Sequence, residues 1–222
     1  MRRREMVYLT PVPVRIWHWL NVFCILALSI TGAEIRFPAT VRVLGSYDAA
    51  VRLHNAVGVV FIFSYALWLV YYAFIARNLI QLYVPTADDI KKGMIQQTFY
   101  YCYQYFKGEP NPFQVSPKHK FNALQKTAYA AIMLVFTPLV TLTGVLLLDV
   151  VPLRTMVLAI GGMRFLIEVH WMLACVFCAF LFTHVYLATL GHTPFAYFRP
   201  MLNGWEDVID DLPHESCGKF LY

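Results

Sequence analysis

FLIEVHWMLACVFCAFLFTHVYLATL, residues 165–190, carries no charged residue after Glu168 and sets His170 and His184 fourteen positions apart. At about 100° and 1.5 Å per residue, fourteen helical steps bring the two imidazoles to within about 40° of one face and roughly 21 Å apart along it. A hydrocarbon core of about 30 Å is crossed by about 20 apolar residues, so the segment predicts a membrane-spanning helix with a histidine near each face. An ionisable side chain at that depth is costly without a partner and marks a functional site. Two stacked histidines therefore point to two stacked metal centres.

The rest of the chain has the same character. It has 222 residues, 59% of them hydrophobic and 14% charged, with 17 Phe, 14 Tyr and 5 Trp, more apolar surface than a soluble domain needs. Spans are predicted at about 14–33, 51–76, 124–148 and 165–190, giving an all-α membrane protein, a single-domain four-helix bundle over 1–222. Three arginines followed by an apolar run could imitate a secretory signal. The Trp17-His18-Trp19 cluster and an exit, SITGAEIRFPA, without an A-x-A cleavage site favour a retained helix. Cys175 and Cys178 form a C-x-x-C, but mid-membrane they lack the aqueous access that redox or zinc chemistry requires and read as small core residues.

With the N-terminus inside, thirteen of the 18 Lys and Arg residues fall on the inner side, which places both termini on the cytoplasmic side. That asymmetry accounts for the net charge of +5 without nucleic acid. The inner connection, 77–123, is long enough to need structure of its own. Thr86 to Asp89 reads as a capping box, and IKKGMIQQTFYYCYQYF after it predicts a helix lying at the cytoplasmic interface. The tail, 191–222, is a cytoplasmic extension without an assigned role. No internal repeat is evident.

Topology pairs four histidines by depth. His18 and His184 lie near the inner face; His54 and His170 lie near the outer one. A flat macrocycle whose iron takes one imidazole from each of two facing helices fits this pattern, so two haems are expected. Gly58, Ala174 and Ala188, four residues after His54, His170 and His184, leave room for such a ring. The absence of C-x-x-C-H makes the haems non-covalent, b-type. Zinc or copper would need tighter ligand clusters. Arg15, Arg52 and Arg164 are candidates to neutralise haem propionates.

VRIWHWLNVFCILALSITG, VRLHNAVGVVF and the His170/His184 pair resemble the first, second and fourth helices of the four-helix di-haem cytochrome b subunits of respiratory complexes. That family includes the formate dehydrogenase gamma subunit, the nickel-iron hydrogenase b-type cytochrome and the thiosulfate reductase membrane subunit. The resemblance covers nearly the whole chain. It implies His18 and His184 as inner-haem iron ligands, and His54 and His170 as outer-haem ligands. It also implies a periplasmic iron-sulfur subunit beside a catalytic subunit, and allows a higher oligomer of that complex.

KHKFNALQKTAY looks like the family segment in which an asparagine at the start of the third helix helps bind menaquinone; here that residue is Asn122. An amide can hydrogen-bond a quinone oxygen, with His119 and Lys126 placed to deliver protons. The same Asn122 also suits a helix cap. The implied function is electron transfer between the periplasmic partner and membrane menaquinone, the quinone half-reaction of a multi-subunit oxidoreductase, in either direction. A free-standing b561-type enzyme exchanging electrons between quinone and superoxide would use the same ligands without a partner, and a cofactor-free membrane anchor would use none. His192 and His214 match no position in the family.

Overall fold

The computed structural model describes residues 4–113, 119–191, 193 and 195–209, with the side chains of 4, 5 and 207–209 left aside. In chain order the elements are β1 (Arg4–Tyr8), α1 (Val12–Arg36), α2 (Tyr47–Val70, continued by a π turn at Tyr71–Ile75), α3 (Leu79–Tyr83) and α4 (Met94–Phe99, between π turns at Asp89–Gly93 and Tyr100–Gln104). Then come α5 (Ala123–Ala130), a π turn at Ala131–Phe136, α6 (Thr137–Leu148), α7 (Arg154–Ala159), α8 (Gly162–Ala188), α9 (Arg199–Asn203) and β2 (Trp205–Ile209). Four helical runs are long and apolar enough to cross a membrane: Val12–Arg36, Tyr47–Ile75, Ala123–Leu148 and Gly162–Ala188. The second begins earlier than its hydropathy suggests because Ser46 caps it, accepting from the Ala49 amide at 3.2 Å.

The chain forms two compact units. One comprises Ile16–Leu79 and Tyr129–Leu187, and holds most of the four long helices. Hydrocarbon lipid is as apolar as leucine, so these helices associate through close packing and inter-helix hydrogen bonds. Between α1 and α2, Trp17 stacks on Trp68 at 6.2 Å, Asn21 Nδ2 donates to Ser64 Oγ at 2.7 Å, and Thr31 Oγ1 lies 2.9 Å from His54 Nδ1. In all three pairs the residue numbers add to 85, as for two antiparallel helices held in one register. The α5–α6 run and α8 repeat the plan: Tyr129 meets His184 and Thr143 meets His170, both adding to 313.

Within the α5–α6 run, Pro138 has no N–H for the carbonyl four residues back and its ring crowds the preceding turn. The wider π turn at Ala131–Phe136 absorbs this, and the Thr137 hydroxyl donates to the Ile132 carbonyl at 2.8 Å. Midway along the unit, Cys24, Val57, Phe61, Ile132 and Phe177 form a buried waist, with Phe61 and Phe177 edge to face at 6.4 Å. Phe177 lies seven residues from each histidine of α8. At the end of α1, buried Glu34 accepts from the Val43 and Leu44 amides at 3.1 and 3.0 Å and pins the following connection.

The other unit comprises Met1–Arg15, Ile80–Ala128 and Ala188–Tyr222. Here β1 and β2 pair antiparallel, Arg4 opposite Ile209 and Tyr8 opposite Trp205, with the Tyr8 and Trp205 rings 5.2 Å apart. The capping box forms as its sequence requires: Asp89 Oδ2 accepts from the Thr86 amide at 2.8 Å, and Thr86 Oγ1 accepts from the Asp89 amide at 3.2 Å. Along the helical run after it, Ile95, Phe99, Tyr103 and Phe106 form an exposed apolar stripe, and Lys107 lies 4.2 Å over the Tyr103 ring. His192 and His214, with Asp210 and Asp211 of the tail, lie outside the described residues.

Candidate functional site

Four of the seven histidines come together as two pairs. His54, near the start of α2, and His170, near the start of α8, face each other with ring centres 6.3 Å apart and planes crossed at 76°. Each is held from behind by a threonine of a different helix: Thr31 Oγ1 lies 2.9 Å from His54 Nδ1, and Thr143 Oγ1 lies 2.9 Å from His170 Nδ1. Both hydroxyls donate to their own helix, to the Ala27 carbonyl at 2.7 Å and the Leu139 carbonyl at 2.9 Å. The residue after each threonine is glycine. A Cβ at Gly32 would stand 3.4 Å from His54 Cε1, and one at Gly144 would stand 3.4 Å from His170 Cε1.

The other pair is built differently. His18 of α1 and His184 of α8 also stand 6.3 Å apart between ring centres, with planes at 51°. His184 stacks on Phe180 at 5.5 Å and 23°, and its Nδ1 lies 3.5 Å from the Tyr129 hydroxyl. His18 Nδ1 is buried and has no hydrogen-bond partner among the described residues. An orphaned imidazole nitrogen inside an apolar helix bundle needs a further group to satisfy the ring.

The spacing fits a metal held between two imidazoles. A metal–nitrogen bond of about 2.0 Å and about 1.1 Å from nitrogen to ring centre place two ring centres roughly 6.2 Å apart across one ion. Both pairs, at 6.3 Å, are close to that separation. All four histidines are half-buried, and a Cβ added at Gly58 would meet nothing within 4 Å. Among the described residues no cluster of three or more His, Cys, Asp or Glu could hold a bare metal ion. A donor set of two imidazoles leaves the remaining coordination to the ligand itself, as a haem macrocycle does.

The family model described as prokaryotic cytochrome b561 matches residues 9–204. The chain belongs to the prokaryotic cytochrome b561 family. It is 30% identical over 212 residues to YdhU of Escherichia coli (strain K12), a protein named as a cytochrome, covering 90% of this chain and 75% of that one. It is 24% identical over 192 residues to the cytochrome b556(fdo) subunit of formate dehydrogenase from the same strain, covering 85% and 81%. A 35-residue stretch is 54% identical to a relative named as a Ni/Fe-hydrogenase B-type cytochrome subunit in Rhizobium leguminosarum bv. viciae, covering 16% and 15%. As a member of the cytochrome b561 family the chain is a multi-pass inner-membrane b-type cytochrome with haem b as its cofactor.

The other residues singled out in this cytochrome are placed as follows. Arg52 is exposed and ion-paired with Asp48 one turn earlier. Arg15 donates from Nη1 to the Leu202 carbonyl, while its Nε is buried without a partner among the described residues. Arg164 is exposed. Asn122 is buried and caps α5: its Oδ1 accepts from the Gln125 amide at 2.9 Å, and Gln125 Oε1 accepts from the Asn122 amide at 3.1 Å. Its side-chain NH2 reaches Tyr101 Oη only at 3.5 Å. Lys126 pairs with Asp89 at 3.3 Å, and His119 is exposed.

Around Asn122 lies a polar interior that sequence reasoning missed. Gln97 Nε2 donates to Asn111 Oδ1 at 3.2 Å, and Tyr101 is hydrogen-bonded by Asn122, Gln97 and Asn111. Burial, then the neighbouring Tyr101, push the Tyr197 phenol up to about 12, so that phenol stays protonated. Thr31, Gly32, Thr143 and Gly144 were missed as well. Their signal was present in the sequence: the same Thr-Gly dipeptide occurs once in the first span and once in the third.

Proposed function

We propose that the chain is the membrane cytochrome b subunit of a respiratory oxidoreductase, carrying two b haems and passing electrons between a periplasmic iron-sulfur and catalytic partner and the menaquinone pool. The observation that carries this reading is the pair of 6.3 Å imidazole gaps, one at each end of α8. His18 and His184 would hold the inner haem and His54 and His170 the outer one. Bound haem supplies a one-electron iron couple. The protein supplies two ligands per iron, a rigid spacing of roughly 21 Å along α8, and an apolar waist that excludes water between the two sites.

By the positive-inside rule both termini would be cytoplasmic and the His18/His184 pair would lie near the cytoplasmic face of the membrane. The menaquinone site would be built on the Asn122 side-chain NH2 as donor to a quinone oxygen, with His119 and Lys126 as proton carriers. Arg15, Arg52 and Arg164 flank the spans where propionates would need positive charge. The partner reading is supported by relatives whose names place them in formate dehydrogenase and Ni/Fe-hydrogenase.

The test is haem content and company. Purified from its native membrane, the chain should bring iron-sulfur absorption with it and hold two b haems per chain. His54→Ala should remove the outer haem and leave inner-haem absorption, and His18→Ala should do the converse. An active single-chain preparation without iron-sulfur absorption would refute the subunit reading, and loss of neither haem would refute the pairing.

A further inference from the structure

We infer that the two Thr-Gly pairs, Thr31-Gly32 and Thr143-Gly144, are positioning elements that set the tautomer and the crossed ring planes of His54 and His170, and thereby the electronic character of the outer centre. This rests on the two-haem reading above. A hydroxyl has one proton and two lone pairs. The Thr31 proton is directed at the Ala27 carbonyl and the Thr143 proton at the Leu139 carbonyl. Each threonine can then meet its histidine only as an acceptor, so Nδ1 carries the hydrogen and Nε2 presents its lone pair to a metal. The Leu28 and Val140 carbonyls, 3.3 and 3.0 Å from the same two hydroxyls, offer each proton a second acceptor on its own helix.

The glycines complete the device. With no Cβ, Gly32 and Gly144 let each ring come close to the helix that anchors it, its Cε1 standing 3.4 Å from where a Cβ would sit. Each imidazole is thus gripped along one edge by hydroxyl and glycine, and the two rings, gripped from different helices, stand at 76°. Among the described residues the inner pair lacks this arrangement: His18 Nδ1 has no hydrogen-bond partner, and His184 Nδ1 meets the Tyr129 hydroxyl at 3.5 Å. The two centres, with identical ligands, are therefore made unequal by their surroundings. A hydrogen bond accepted from Nδ1–H makes the imidazole a stronger electron donor and favours ferric iron.

Thr31→Val and Thr143→Val, singly and together, remove the hydroxyl with little change of shape, and Thr→Ser at each position restores it. The readouts, on the complex purified with its haems, are haem count, the midpoint potential of each haem and the largest principal g value of each ferric signal. Crossed imidazole planes give a larger value than parallel ones. In the Val variants the outer haem should become easier to reduce by severalfold to about tenfold in its ferric/ferrous ratio, up to about 59 mV for one electron. Its largest g value should fall, the inner haem should not change, and Ser should restore the native values.

Unchanged outer potential and g values in the double Val variant would overturn the assignment. Should Val cost the outer haem altogether, the Ser variants decide: native haem count and potential support the assignment, and loss equal to that of Val overturns it. A wild-type chain with fewer than two haems would overturn the two-haem reading and this inference together, whereas the preceding results bear on the threonines alone.

Discussion

Enlarging Gly144 beyond alanine should expel the outer haem. An Ala side chain adds one carbon at 3.4 Å from His170 Cε1, an ordinary van der Waals contact. The same change removes a glycine from a helix interior, worth about 0.8–1.0 kcal/mol in favour of Ala. Gly144→Ala should thus leave the fold as stable as before or slightly more so. Valine fills two of the three staggered positions about Cβ, each about 1.5 Å beyond it, so a methyl toward the ring must be met by rotation of the imidazole or separation of the helices. Overpacking of this kind costs about 1–3 kcal/mol, roughly a 5- to 150-fold loss in occupancy of the native ring position. Reduced-minus-oxidised spectra and thermal unfolding in detergent measure both consequences. Gly144→Val should lose outer-haem absorbance and unfold at lower temperature while the inner haem remains, and Gly144→Ala should do neither. A Val variant with both haems and an unchanged unfolding temperature would refute the close seating of His170 on α6.

Three further predictions follow from other parts of the chain. Burial would raise the Asp89 carboxyl, but hydrogen bonds from the Thr86 backbone and hydroxyl and from Lys126 outweigh it and hold it below its ordinary value. Its stabilisation is therefore full above the unfolded value near 3.9 and is lost as pH falls through the lower folded value; melting curves of wild type and Asp89→Asn should differ near neutrality and converge in acid. Asn122→Asp keeps the capping acceptor and loses the NH2 donor, so stability should hold while menaquinone turnover and inhibitor sensitivity drop; unchanged turnover would leave Asn122 a cap alone. A double-mutant cycle on Asn21→Ala and Ser64→Ala should return a coupling of about 0.6–1.7 kcal/mol, and a value indistinguishable from zero would deny the α1–α2 register.

The histidine pairs were legible because charge and polarity inside hydrocarbon are rare, so His170 and His184 stood out and the alternation of spans gave the depths of His18 and His54. The threonines were not legible for the opposite reason. Ser, Thr and Gly are common in membrane helices, where a hydroxyl ordinarily turns back to its own carbonyl; Thr31 and Thr143 do that too, and only the neighbouring helix reveals the second bond. Helix limits set by hydropathy missed the Ser46 cap, and the π turn before Thr137 follows from Pro138 only once the run is known to continue through it. The pairing of β1 with β2 joins residues nearly the whole chain apart, which local pattern cannot foresee. Asn122 shows how one residue type serves two chemistries: the motif suggested a ligand contact, and the structure first makes it a cap.

The constant registers, 85 for one helix pair and 313 for the other, make each hairpin a ruler with marks at both ends. One residue inserted between His54 and Ser64 would advance that stretch of α2 by about 1.5 Å and turn it by about 100°. His54 could still face Thr31, or Trp68 could still face Trp17, but not both. The connections outside the helices carry no such constraint. Length variation should therefore be tolerated between the spans and refused within them, because a shift at mid-membrane would misalign one end of the bundle to keep the other.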